Sequence, residues 1–147
     1  MLFEIISTVS SGLFAGAAIY VNLVEHPARV EFGIELALRE FAPSYRRATL
    51  LQGTLAAIGF MSGVAAWFSG HSLWWLIGGT VLGSVIPFTL IIVFPTNKKF
   101  LDPSLDPASE VAKKLLARWT KLHAVRSVLA LTAFLICVFL LCLGRLR

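Results

Sequence analysis

Apolar residues run through this chain in four long stretches separated by shorter polar ones. Residues 5–24, 49–68, 73–94 and 124–143 contain no Asp, Glu, Lys or Arg apart from Arg126. Each approaches the roughly 20 residues that an α-helix needs to cross about 30 Å of hydrocarbon. None alternates with a period of two. In lipid the backbone must satisfy its own hydrogen bonds, so the stretches predict helices rather than barrel strands. The expected fold is all-α: a four-helix transmembrane bundle with short cytoplasmic amphipathic helices, forming one integral membrane domain over residues 1–147.

The segments between the stretches carry patterns of their own. Val30, Ile34, Leu38 and Phe41 make an apolar stripe, and Glu31, Glu35 and Arg39 a polar one. That predicts a short amphipathic helix at the membrane surface, ended by Pro43. After the third stretch come Pro95-Thr96-Asn97 and two turn signals, Asp102-Pro103 and Asp106-Pro107. Asp106 is a good helix start. From there Val111, Leu115, Trp119 and Leu122 lead into the fourth stretch, so the last helix is expected to project roughly 20 Å beyond the membrane at about 1.5 Å per residue. Pro87 predicts a kink within the third helix. Gly12 and Gly16, Gly59 and Gly63, and Gly79 and Gly83 recur at helical spacing, which predicts close packing of the first three helices.

Composition agrees with this class and charge orients it. Hydrophobic residues make up 57% of the chain and charged residues 14%, against about 25% charged in a soluble domain. Arg29, Arg39, Arg46 and Arg47 lie in the first long connection, and Lys98, Lys99, Lys113, Lys114, Arg118 and Lys121 in the second. The opposite face has only Arg145 and Arg147. Basic residues collect on the cytoplasmic side, so both long connections are expected in the cytoplasm and both termini outside, in a plasma (inner) membrane. The net charge of +5 is then a topology signal, reinforced by anionic lipid. The partner it implies is the bilayer, not nucleic acid. Ala15-Gly16-Ala17 resembles a signal-peptide cleavage site, but Glu4 stands where a basic n-region belongs, which predicts a retained helix. Cys137 and Cys142 point about 140° apart on a helix and cannot bond to each other.

The uncommon polar residues gather at one depth. Asn22 and His26 share a helix face at the end of the first stretch, Arg46, Arg47 and Gln52 open the second, and Asn97 closes the third. Trp119, His123 and Arg126 share a face at the start of the fourth. A charge at the lip of a span must face the bundle interior, find a partner or snorkel to the interface. His26-Pro27-Ala28-Arg29 and His123-Ala124-Val125-Arg126 repeat a His-x-x-Arg spacing, the trace expected of a duplicated helix pair. No Asp or Glu lies inside any of the four stretches, which weighs against a proton-coupled transporter. Nothing resembles a nucleotide-binding loop, a hydrolase triad or a Cys-x-x-Cys redox motif.

Three segments carry a resemblance: Gly12-Leu-Phe-Ala-Gly16 leading to Asn22, His26 and Pro27; Phe94-Pro-Thr-Asn-Lys98; and Trp119-Thr-Lys-Leu-His-Ala-Val-Arg126. Together they resemble the anthrone-oxygenase-like family of small four-helix membrane proteins. The resemblance implies an oxygenase that converts an anthrone to an anthraquinone with dioxygen as co-substrate, using neither an organic cofactor nor a metal. It would place the site at Asn22, Asn97, Trp119, His123 and Arg126, with catalytic roles on Asn22, Asn97, His123 and Arg126; substrate contacts are expected from Trp119 and from His26, Arg46, Arg47 and Gln52 at the same depth. An anthrone is a weak carbon acid. A neutral histidine can take its proton, an arginine can stabilise the enolate oxygen, and an indole offers a flat surface to a polycyclic ring. Two other readings fit the same residues: a haem or metal protein using His26 and His123, and a non-enzymatic interaction or transport accessory whose small-residue faces bind a partner.

Overall fold

A computed structural model describes residues 1–144; Arg145 and Arg147 lie outside the described residues. The chain folds into helices in the order α1 (Leu2–Tyr20), a π-helical turn (Val21–Glu25), α2 (His26–Glu31), α3 (Ile34–Phe68), α4 (Leu73–Gly83), α5 (Val85–Phe88), a second π-helical turn (Thr89–Val93), α6 (Phe94–Phe100) and α7 (Glu110–Gly144). These join into four rods, Leu2–Glu31, Ile34–Phe68, Leu73–Phe100 and Glu110–Gly144, each long and apolar enough to cross a membrane. α3 packs on α1 and α4, and α7 packs on the same two helices, so the rods form a four-cornered bundle.

Proline shapes the first and third rods. Pro27 and Pro95 have no N–H to offer the carbonyl four residues back, and each stands one residue beyond the end of a π-helical turn. The widened turn carries the helix past the missing bond. The third rod is also interrupted at Ser84, one turn before Pro87, in line with the kink its sequence predicts.

The expected surface-lying amphipathic helix ended by Pro43 is not formed. Pro43 lies inside α3, exposed on its outer side, and the break falls instead at Gly33, whose φ of +111° favours a residue without a Cβ. Packing decides the difference. Ala37 and Phe41 bury against Phe100, Leu115 and Trp119, holding the helix together on both sides of the proline. The stripe seen in the sequence is therefore the inner face of a bundle helix. The fourth rod begins later than expected as well. Asp106 makes a local turn to the Ala108 N–H, and the Ser109 hydroxyl accepts from the Ala112 N–H three residues on, so Ser109 caps the helix that starts at Glu110. α7 then runs unbroken for 35 residues, about 52 Å at 1.5 Å per residue, which keeps its expected projection.

The core has three tiers. Phe14, Ala15, Ala18, Ala56, Leu82, Val85, Ala130 and Ala133 fill the middle. Trp75, Ala66 and Cys137 close the end near His71, and the Phe41 and Trp119 group closes the end near Gly33. Cys137 is buried and Cys142 exposed, and both are free thiols. Two of the glycine pairs give the close packing of the first three helices that their spacing predicts, with Gly59 set against Ser10 of the first rod and Leu82 of the third. A methyl group on Gly63 would sit 2.7 Å from the Trp75 carbonyl oxygen and 2.9 Å from the Gly79 Cα, so these glycines form a seam where the second and third rods touch backbone to backbone. Gly12 instead meets the Phe134 ring of α7, and Gly16 meets nothing within 4 Å.

Gly63→Val is accordingly expected to destabilise the bundle by about 1–3 kcal/mol or more through overpacking against backbone. Gly16→Val should change stability by no more than about 0.5 kcal/mol. Thermal unfolding of the two variants in detergent checks the contrast.

Candidate active site

Most of the polar side chains predicted to share one depth meet near the Gly33 end of the bundle; Arg46 and Arg47 do not. α7 supplies three of those that do. Trp119 and His123 are buried and stacked on each other with ring centroids 4.7 Å apart, as residues one helical turn apart can be. Arg126 follows on the same face.

Each of the three is held by a partner from another rod. The Trp119 Nε1–H donates to Asn97 Oδ1 at 3.0 Å. His123 Nδ1 donates to Asn22 Oδ1 at 2.6 Å, because an amide oxygen can only accept. That bond fixes the tautomer: in the neutral ring the lone pair sits on Nε2, which makes no hydrogen bond among the described residues. Arg126 Nη2 donates to Gln52 Oε1 at 2.7 Å, its guanidinium lies 5.7 Å from the Phe14 ring centroid, and its Nε is buried without a partner. Arg126 thus faces the interior rather than snorkelling. No carboxylate pairs with it among the described residues.

The proline breaks position two of these partners. Asn22 lies inside the first π-helical turn, and Asn97 follows Pro95 in α6. Asn97 lies beyond the whole widened turn, so a regular helix through Thr89–Val93 would turn its amide about the helix axis by up to one residue step, about 100°.

A cavity of about 130 Å³, open on one side, lies against Trp119, His123, Arg126, Asn97 and Gln52. The structure separates the remaining candidates. Asn22 is half-buried behind His123 and does not line the cavity. His26 also stands behind, 4.8 Å from the Trp119 ring and 2.8 Å from Thr120 Oγ1. The Thr120 hydroxyl already donates to the Leu116 carbonyl, so His26 Nε2 donates to it. Arg46 is exposed and away from the cavity, and Arg47 is exposed beside a second depression that it shares with Tyr20 and Glu25. Among the described residues no group of three or more His, Cys, Asp or Glu side chains gathers in metal-binding fashion.

Sequence reasoning missed Arg29, Ser44, Tyr45 and Phe41, all of which line the cavity. Arg29 is buried. Its Nη2 reaches Ser44 Oγ at 2.8 Å and pairs with Glu25, and its Nε lies 3.0 Å from a Glu40 carboxylate oxygen, out of line for a hydrogen bond. Two acidic partners offset the Arg29 charge, whereas Arg126 has no acidic partner among the described residues. The His-x-x-Arg spacing of His26 and Arg29, read above as a trace of duplication, was the signal that could have found Arg29.

A small integral membrane protein of four apolar helices, with a largely apolar cavity into which a few polar side chains reach near one end, is the class that fold and site define. The chain belongs to the anthrone oxygenase family, whose model matches residues 41–136. That span takes in Gln52, Asn97, Trp119, His123 and Arg126 and leaves out Asn22, His26 and Arg29. The chain is 24% identical over 135 residues to anthrone oxygenase tpcL of Aspergillus fumigatus, covering 85% of this chain and 84% of that one. It is 32% identical over 79 residues to anthrone oxygenase ptaC of Pestalotiopsis fici, covering 46% of this chain and 56% of that protein. No solved structure matches the chain.

The Asn97–Trp119 bond gives a direct check on how the site is held. Asn97→Leu leaves a buried indole N–H without an acceptor and should destabilise by about 1–3 kcal/mol. Adding Trp119→Phe removes the orphaned donor, so the double variant should lose less than the sum of the single losses. A double-mutant cycle on thermal unfolding reads that coupling.

Proposed function

We propose that this protein is a membrane-embedded oxygenase that converts an apolar, anthrone-type aromatic to the corresponding quinone with dioxygen, without an organic cofactor or metal. The observation that carries the reading is the pairing of His123, tautomer-fixed by Asn22, with Arg126, which has no acidic partner among the described residues, on one cavity floored by Trp119. The printed names of the relatives, both anthrone oxygenases, supply the reaction class.

The chemistry follows from these groups. His123 Nε2 takes a proton from the methylene carbon of the anthrone, and Arg126 stabilises the enolate oxygen that forms. Gln52 anchors the guanidinium, and Trp119 supports the ring system as a flat apolar surface. The carbanion passes one electron to dioxygen, and the resulting radical pair joins to form a carbon–oxygen bond. Protonation by the His123 imidazolium gives a hydroperoxide. Loss of the second methylene proton with cleavage of the O–O bond then releases water and leaves the quinone carbonyl. One dioxygen is consumed: one oxygen atom enters the product and the other leaves as water. Asn22 acts through His123 as a positioning residue.

Orientation belongs to the same proposal. The basic residues near the site, Arg39, Arg46, Arg47, Lys98 and Lys99, favour a cytoplasmic position for this end, with both termini outside.

Purified protein in detergent is expected to consume oxygen with an anthrone above the spontaneous rate. His123→Ala should lower that rate by about 10²–10⁴-fold, the usual loss for a general base. Asn22→Ala should lower kcat with a smaller effect on KM, since the misoriented base still faces a bound substrate. Uptake unchanged by His123→Ala would remove the assigned base. No uptake by folded wild type would remove anthrone oxidation.

A further inference from the structure

Most side chains lining the cavity are buried or half-buried. Thr49, Gly53 and Leu90 both line it and stand exposed, Leu90 at 63%. These three mark its mouth, with Thr49 and Gly53 on the second rod and Leu90 on the third. The opening is therefore in the side of the bundle rather than at its end.

The packing of the two rods accounts for a gap at this level. Toward the His71 end they meet backbone to backbone along Gly63 and Gly79. From Ser84 onward the third rod is interrupted, and the π-helical turn Thr89–Val93 follows. A seam that depends on regular helix against regular helix cannot continue past those breaks. Gly53 sits on the second rod just beyond the seam, and a Cβ added there would meet nothing within 4 Å. Elsewhere in this interface glycine lets backbones touch; at position 53 it leaves space empty.

Thr49, Gly53 and Leu90 also fall within residues 49–68 and 73–94, which contain no charged side chain. Arg46 and Arg47 lie just before Thr49, toward the polar end. A mouth at this depth faces hydrocarbon, with the headgroup level about one turn away.

We infer that the aromatic substrate reaches the site sideways from the bilayer, between the second and third rods, through a portal at Thr49, Gly53 and Leu90 that the missing side chain of Gly53 keeps open. This rests on the reading of the cavity as a site for an apolar aromatic ring system. An apolar tricycle partitions into lipid, and a lateral portal delivers it to Trp119 and His123 without passage through water.

The test uses full-length protein in phosphatidylcholine vesicles with 1,8-dihydroxyanthraquinone as an unreactive probe, following tryptophan quenching by stopped flow. Gly53→Phe is expected to slow association at least tenfold and dissociation in parallel. Gly16→Phe, an equivalent change at an exposed glycine off the cavity, should leave both rates at wild-type values. Leu90→Trp narrows the same mouth from the other rod and should slow both rates as well, so the test does not depend on one variant folding. Wild-type rates in folded Gly53→Phe and Leu90→Trp would overturn the portal while leaving the site in place. Weaker binding at an unchanged association rate would overturn it too, because the new side chain would then be filling the site and not the mouth. Failure of wild type to bind the probe would overturn the reading of the cavity and the portal with it. A nitroxide on Gly53→Cys in a Cys142→Ser background should be relaxed by dissolved oxygen more than by a water-soluble nickel chelate. The reverse order would place the mouth in water and overturn access from lipid.

Discussion

A proline nitrogen carries no hydrogen, and inside an apolar helix no water stands ready to satisfy the carbonyl left behind. Pro27 and Pro95 impose that condition on the first and third rods at comparable depth, and in both the backbone responds by widening into a π-helical turn just before the proline. An interior proline disfavours a helix by about 3 kcal/mol or more, so the surrounding packing has to hold each break in place. Val93 is fully buried beside Phe100, Leu116 and Trp119, and Arg29 binds the first rod to Ser44 and Glu40 of the second. Part of the site descends from this condition: Asn22 sits in the first widened turn against His123, and Asn97, beyond the second, reaches Trp119.

The polar groups so delivered are few, and nearly all are matched. An unpaired polar atom in a low-dielectric interior is destabilising by roughly 1–3 kcal/mol, and more when charged. Asn97 serves Trp119, Asn22 serves His123, Gln52 serves Arg126 and Thr120 serves His26. The exceptions are informative. Among the described residues Arg126 Nε has no partner and its guanidinium no carboxylate, so the cavity carries a positive charge with unused hydrogen-bonding capacity. A ligand oxygen that becomes anionic during reaction is the natural complement to that arrangement.

The two ends of the bundle divide the work of stability and access. Near His71, glycines bring the second and third rods into backbone contact, which stabilises through dispersion where no hydrophobic driving force acts between lipid-immersed helices. Near Gly33, aromatic rings fill the space: Phe41 packs on Phe100 and Tyr45 and meets Trp119 edge-on. The cavity lies between the tight seam and the aromatic tier, where neither packing mode closes the gap.

Four apolar stretches of membrane-spanning length could be read from the chain because helix length and hydrocarbon thickness are both fixed by geometry. The convergence of Asn97, Gln52, Trp119, His123 and Arg126 was legible for a related reason: rods that start and stop at the same boundary carry their polar ends to the same depth. Which side chains pair, and which of them turn to the cavity, could not be read. Rotation about each helix axis is set by the π-helical turns and by neighbouring rods, so Asn22 and His26 went behind the site while Arg29, Ser44 and Tyr45 came into it. The fate of Pro43 was hidden in the same way, since local propensity ends a helix there and only the burial of Ala37 and Phe41 carries it through. The sequence by itself therefore determined the number of rods and the depth of the polar groups. The tertiary structure decided their azimuth, because that depends on contacts between residues far apart in the chain.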